Sequence, residues 1–163
     1  MDALTALRTR RSIRSYQECA VPREALETMV DCARLAATAR GVQPWEFVVV
    51  TETALREQLA ELCPNGKFLA TAPAAVIVFC RETTYYLEDG CNATENLLIA
   101  AVALGLGTCW VAGDKKPYAD EVCRLLNVPQ EYKLIALVAV GYPSTIPSPA
   151  KRTLEEVLHW ERF

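Results

Sequence analysis

Three features that often announce a function are missing from these 163 residues: a membrane-length apolar run, a histidine-rich centre and a paired-cysteine framework. No stretch approaches the roughly 20 uninterrupted apolar residues that a bilayer span requires. Residues 1 to 16 have neither the apolar core nor the small-residue cleavage site of a secretory leader, so the expectation is a cytoplasmic protein without a membrane partner. The single histidine, His159, stands near the end of the chain, and any Ser/His or Cys/His hydrolytic pair would have to use it. Seven cysteines are an odd number and no two stand at C-x-x-C spacing, which argues against a disulfide framework and against a zinc or other metal site. A dinucleotide fingerprint is lacking too. Gly105-Leu106-Gly107 follows a helical pattern and precedes a strand, the reverse of the order such a turn needs.

What is present describes an ordinary globular chain. Apolar residues make up 52% and charged residues 23%, and a length of 163 can bury a core as one domain. A net charge of -3 creates no field that would hold nucleic acid. Basic residues are nevertheless concentrated at Arg8, Arg10, Arg11 and Arg14, where the only nearby acid is Asp2.

Apolar spacing from Leu26 through Met29, Val30, Ala33, Ala36 and Ala37 predicts a helix opening after Pro22. The run Phe47 to Val50 reads as a buried strand, and Leu55, Leu59 and Leu62 mark a helix stopped at Pro64-Asn65-Gly66. Ala74 to Cys80 reads as a second buried strand. Residues 85 to 105 read as a long apolar helix that must lie centrally, closed by Gly105. Thr108 to Ala112 is a third strand, Tyr118 to Asn127 a helix, Leu134 to Val140 a fourth strand, and Leu154 to Trp160 a short amphipathic helix. Strand and helix alternation alone would suggest a parallel, doubly wound sheet.

Four segments carry chemistry. Arg10, Arg11, Ser12 and Arg14 bring guanidinium forks and a hydroxyl together around Ile13, a set suited to phosphate oxygens; a solvated basic surface is the bland alternative. Residues 36–45 form a small-residue loop ending in Gln43-Pro44-Trp45, either a close approach to a planar ligand or a tight connection with a core Trp. Residues 105–113 end in Gly113, which would free a backbone amide at a strand end. Lys151 and Arg152 place two cations in the tail.

In this order the segments resemble the nitroreductase family of flavoproteins, whose arginine-serine motif, "QPW" loop, "GLGTCW" strand and basic tail recur along nearly the whole chain. The resemblance implies an α+β fold with a mixed, largely antiparallel sheet flanked by helices, which overrides the parallel reading. It implies one domain over residues 1–163, a homodimer with FMN at the interface, and a C-terminal arm, about 143–163, that reaches the partner subunit. Carried over by position, Arg10, Arg11, Ser12 and Arg14 would hold the FMN phosphate, ribityl chain and pyrimidine edge, joined by Lys151 or Arg152. Thr38 and Gln43 would be the partner subunit's contribution, and Ala112 and Gly113 would supply backbone amides near flavin N5. The implied activity is transfer of hydride from NAD(P)H through the flavin to a small acceptor; a flavin carrier without turnover and an enzyme that degrades FMN are the alternatives. One departure is visible: the family loop reads Pro-Ser ahead of an Asn, and these places hold Ala37, Thr38 and Gly41.

Overall fold

Helical spacing near the N-terminus produces two helices in the computed structural model, which describes residues 1–163: α1, Ala3–Thr9, and α2, Arg23–Ala33. Asp2 caps α1 by accepting from the Thr5 N–H at 3.1 Å. Leu26, Met29 and Ala33 form the buried face of α2. This helix stops short of the expected Ala37. The chain instead turns through residues 39–43, where Arg40, Gly41 and Gln43 all have positive φ, and side chains from elsewhere take the carbonyls of Cys32 and Ala37.

Four strands follow: β1 Trp45–Val50, β2 Ala74–Arg81, β3 Gly107–Ala112 and β4 Tyr132–Gly141. Their order is β1-β2-β4-β3 and every neighbouring pair is antiparallel. This is the largely antiparallel α+β sheet that the resemblance implies, and not the parallel arrangement that alternation alone suggests; the only parallel contact is a single bridge between Ser12 and Thr108. Strands β2 and β4 lie in the middle and are buried on both faces, which explains their continuous apolar runs. The reading of Phe47 to Val50 as a wholly buried strand needs correction: β1 is an edge strand on which Glu46 and Val49 are exposed while Trp45 and Val50 are buried.

Alternation along β2 and β4 divides the interior into two layers. Val76, Val78, Val138 and Val140 face α2 and the long helix α4, Tyr86–Ala103, meeting Met29, Ala33, Trp45 and Leu97. Ala75, Ile77, Phe79 and Leu137 face α3, Thr53–Leu62, and α5, Ala119–Leu125, meeting Leu59, Leu69 and Val122. α4 ends at Leu104, and Gly105 at φ +78° turns the chain into β3.

No helix forms over Leu154 to Trp160. After Gly141 the chain bridges to Tyr16 at Pro143 and then runs without regular structure, with a turn in which the Val157 and Leu158 N–H groups donate to the Leu154 carbonyl. Every residue from 151 to 163 is exposed, so an amphipathic helix there has no surface against which to bury its apolar side. No helix of the fold is long and apolar enough to cross a membrane.

Candidate functional site

Ile13 fixes the arginine-rich segment to the sheet. Its side chain is buried directly over Gly107, where an added Cβ would lie 2.5 Å from the Ile13 Cγ1, and its N–H donates to the Thr108 carbonyl at 2.8 Å. The Tyr16 hydroxyl donates to the Ile13 carbonyl at 2.5 Å, and the Ser144 N–H donates to the Ser15 carbonyl at 3.0 Å. The segment is thus clamped between the free edge of β3 and the chain leaving β4.

Five of the predicted residues come together here. Arg10, Arg11, Ser12 and Arg14 line one cavity of about 320 Å³ with Lys151, Pro147 and Pro149 of the tail. Arg11 is held by its own backbone, Nη1 donating to the Arg8 and Arg10 carbonyls at 2.9 and 2.8 Å. Arg10 lies 3.5 Å from Glu95, a carboxylate that the fold, not the local sequence, delivers. Arg14 makes no ion pair and lies 5.9 Å from the Phe68 ring centroid. Behind them Cys109 is buried; desolvation pushes its thiol up, against the opposing pull of Arg14, Ser12 and Arg10, so it stays protonated at neutral pH. No group of side chains here could hold a metal ion.

Arg14 also lines an adjoining cavity of about 550 Å³ walled by Asn65, Phe68, Trp110, Ala112 and Tyr118. Asn65, Phe68 and Tyr118 were not among the residues singled out from sequence. Pro64-Asn65-Gly66 had registered only as a helix stop, although an Asn in a turn beside an aromatic is also a way to face a planar ligand. A larger groove, about 720 Å³, lies between α2 and β1 and contains none of the predicted site residues.

At the end of β3 the expectation for Gly113 is wrong. Its N–H is not free but donates to the Ile135 carbonyl at 2.9 Å, and a Cβ at this position would lie 2.5 Å from Leu134 Cγ. Because hydrogen-bonded and non-hydrogen-bonded pairs alternate in an antiparallel ladder, Ala112, opposite Ala136, turns its amide away from β4 toward the open edge. Of Ala112 and Gly113, the residue whose amide is free beside the second cavity is therefore Ala112.

The tail cations also separate. Lys151 lines the arginine cavity, while Arg152 donates to the Glu156 carbonyl. Thr38 and Gln43 are not brought to the cavity within one chain. The Thr38 hydroxyl donates to Asp89 Oδ2 at 2.9 Å and accepts from the Gln43 N–H at 3.0 Å, and the Gln43 side chain lies 3.4 Å from the Gly41 carbonyl.

The chain matches the model of the Nitroreductase family over residues 7–93 and 64–142. A protein of Methanothermobacter thermautotrophicus named "Putative NADH dehydrogenase/NAD(P)H nitroreductase" is 33% identical over 171 residues, spanning 100% of this chain and 88% of that one. A solved structure from Bacteroides thetaiotaomicron with the same name superposes with a TM-score of 0.94 at 29% identity, over 99% of this chain and 98% of the other. The FMN-dependent nitroreductase of Clostridium difficile gives a TM-score of 0.90 at 27% identity, over 98% and 99% of the two chains. With its arginine-serine segment on the edge of a four-stranded antiparallel sheet and its full length matched in sequence and fold, this chain belongs to the nitroreductase family.

Proposed function

We propose that the protein is an FMN-dependent oxidoreductase that moves electrons from NAD(P)H to a small organic acceptor. The observation that carries this reading is the pair of cavities joined at Arg14: one ringed by four cations and a hydroxyl, the other walled by Phe68, Trp110 and Tyr118. A phosphate suits the first donor set, since guanidinium groups offer paired N–H donors to its oxygens, and a flat conjugated ring suits the second. A flavin mononucleotide carries both parts on one molecule. The residues present fit it.

In this reading Arg10, Arg11, Ser12 and Lys151 bind the phosphate and ribityl chain. Arg14, free of any carboxylate, would hold the pyrimidine edge, where its charge would stabilise negative charge on the reduced ring. The outward amide of Ala112 supplies the backbone contact near N5; Gly113 serves by giving Leu134 and Ile135 room. When bound, FMN would supply the hydride-transfer chemistry between NAD(P)H and a nitroaromatic, quinone, enone or similar acceptor, in a ping-pong cycle. A homodimer, with Thr38 and Gln43 of each subunit at the other's site and the exposed arm from residue 143 crossing over, accounts for the distance of that loop from its own arginines and for exposed Ile146, Leu154 and Trp160.

The test is the visible spectrum of the purified protein, mass analysis of any cofactor released on denaturation, and anaerobic addition of NADPH and NADH. A yellow protein that releases FMN and bleaches with either donor supports the reading. A colourless protein that cannot be reconstituted with FMN sinks it.

A further inference from the structure

Residues 38–43 combine two features that rarely coexist without a purpose. Their backbone is unusual, with φ of 55° at Arg40, 68° at Gly41 and 49° at Gln43, and they contribute nothing to the arginine cavity of their own chain. Left-handed conformations at non-glycine residues persist only where the surroundings over-determine them. Here the determinant is the polar stripe of α4. Asp89, only 3% exposed, accepts from the Thr38 hydroxyl and from the Ala39 N–H, both at 2.9 Å. One turn on, Asn92 donates to the Ala37 carbonyl at 3.3 Å, and Asn96, a turn further, donates to the Cys32 carbonyl at 3.2 Å.

Asp89 has no ion-pair partner. A buried carboxylate without a cation is costly, and the two hydrogen bonds that offset the cost both come from the loop. The Thr38 hydroxyl carries the constraint onward, because the same oxygen accepts the Gln43 N–H at 3.0 Å and so closes the loop on itself. Its proton is donated to Asp89 and one of its two lone pairs is engaged by Gln43, so the hydroxyl ties both ends of the loop to the helix.

We propose that Asp89 is a positioning residue: acting through the Thr38 hydroxyl, it holds residues 38–43 in the shape that the flavin site of a second copy of this chain requires. Thr38 is then a relay inside the loop. The inference rests on the dimeric flavoenzyme reading above for what the loop serves, but not for how the loop is held.

Asp89→Asn, Thr38→Val and Thr38→Ser test it with two readouts. The first is hydrogen exchange at the Ala39 and Gln43 amides, which needs no flavin. Exchange should accelerate about tenfold in Asp89→Asn and Thr38→Val, with Thr38→Ser close to the parent because the hydroxyl is kept. The second is FMN affinity by quenching of flavin fluorescence, expected to weaken about tenfold in the first two variants and recover in Thr38→Ser, with thermal midpoints recorded alongside. Should Asp89→Asn fail to fold, Thr38→Val against Thr38→Ser carries the comparison alone. Unchanged amide exchange in folded Thr38→Val overturns the role given to Asp89 and Thr38. Faster exchange with unchanged FMN affinity overturns the link to the flavin site. A parent protein that binds no FMN fails the preceding reading instead, and the exchange data still decide whether Asp89 sets the loop.

Discussion

Lys151 and Arg152 are neighbours of the same charge, and nothing in their spacing separates them; the fold does, by turning one into the arginine cavity and the other back onto the Glu156 carbonyl. Lys151→Ala should therefore weaken FMN binding about tenfold, the scale of one charge-assisted contact, while Arg152→Ala stays within about twofold. Equal effects in a fluorescence titration would return the two to equivalence. Arg14 differs from its neighbours in having neither a carboxylate nor a backbone carbonyl to satisfy. Arg14→Ala should slow anaerobic reduction of the flavin by NAD(P)H about tenfold or more with little change in thermal midpoint; unaltered stopped-flow kinetics would remove it from the chemistry. Legibility at this scale was uneven. Arg10, Arg11, Ser12 and Arg14 stand out in the sequence as a cationic cluster, which by spacing alone could equally be a solvated basic surface until the family resemblance is added, whereas Asn65, Phe68 and Glu95 come to the two cavities from distant segments and leave no local signature.

Among the elements, β3 and its contact with residues 10–16 place the site. Gly107 allows the Ile13 side chain to lie against the strand, and the Ile13 N–H pairs with Thr108 on the open edge. Gly107→Ala would force Ile13 away, since the new methyl would lie 2.5 and 2.9 Å from its Cγ1 and Cβ. The expected result is a destabilisation of about 1–3 kcal/mol together with weaker FMN binding, read by urea unfolding and by fluorescence titration. A Gly107→Ala protein as stable as the parent would show that Ile13 gives way without cost. Periodicity located α2, α3, α4 and all four strands, but two assignments failed for a common reason. The end of α2 and the absence of a helix near Leu154 both depend on what lies opposite: Asn92 and Asn96 intercept α2's departing chain, and nothing in this chain covers residues 151–163.

For the molecule as a whole, stability should fall in mild alkali. Burial pushes the Cys63 thiol up to about 11 and the Cys80 thiol, with Asp89 adding to the effect, up to about 12. Below the ordinary thiol value of about 8.5 both folded and unfolded chains keep these protons, so neither group contributes a slope. Above it the unfolded chain releases protons that the native state retains, and stability declines by at most about 1.4 kcal/mol per pH unit for each thiol. The decline ends as the native thiols themselves ionise near 11 and 12. Urea unfolding at pH 8, 9 and 10 should show it, and the Cys63→Ala/Cys80→Ala double variant should show a shallower fall; parallel slopes would assign the effect elsewhere. Sedimentation should give twice the chain mass, and deletion of residues 144–163 should shift the protein toward monomer. A deletion variant that stays fully dimeric would show that the arm does not hold the subunits together.

What the amino-acid order determined by itself is whatever depends on short-range pattern: the helical and strand periods, the glycine stop after α4, the cationic motif and the ordered set of segments that resembles the family. The edge position of β1, and which of the Ala112 and Gly113 amides is left free, were decided only by tertiary structure. So were the division of labour between Lys151 and Arg152 and the commitment of Thr38 to Asp89. Each of these turns on which groups from distant parts of the chain meet, and a hydrogen bond or a buried contact has no period along the sequence by which it could be read.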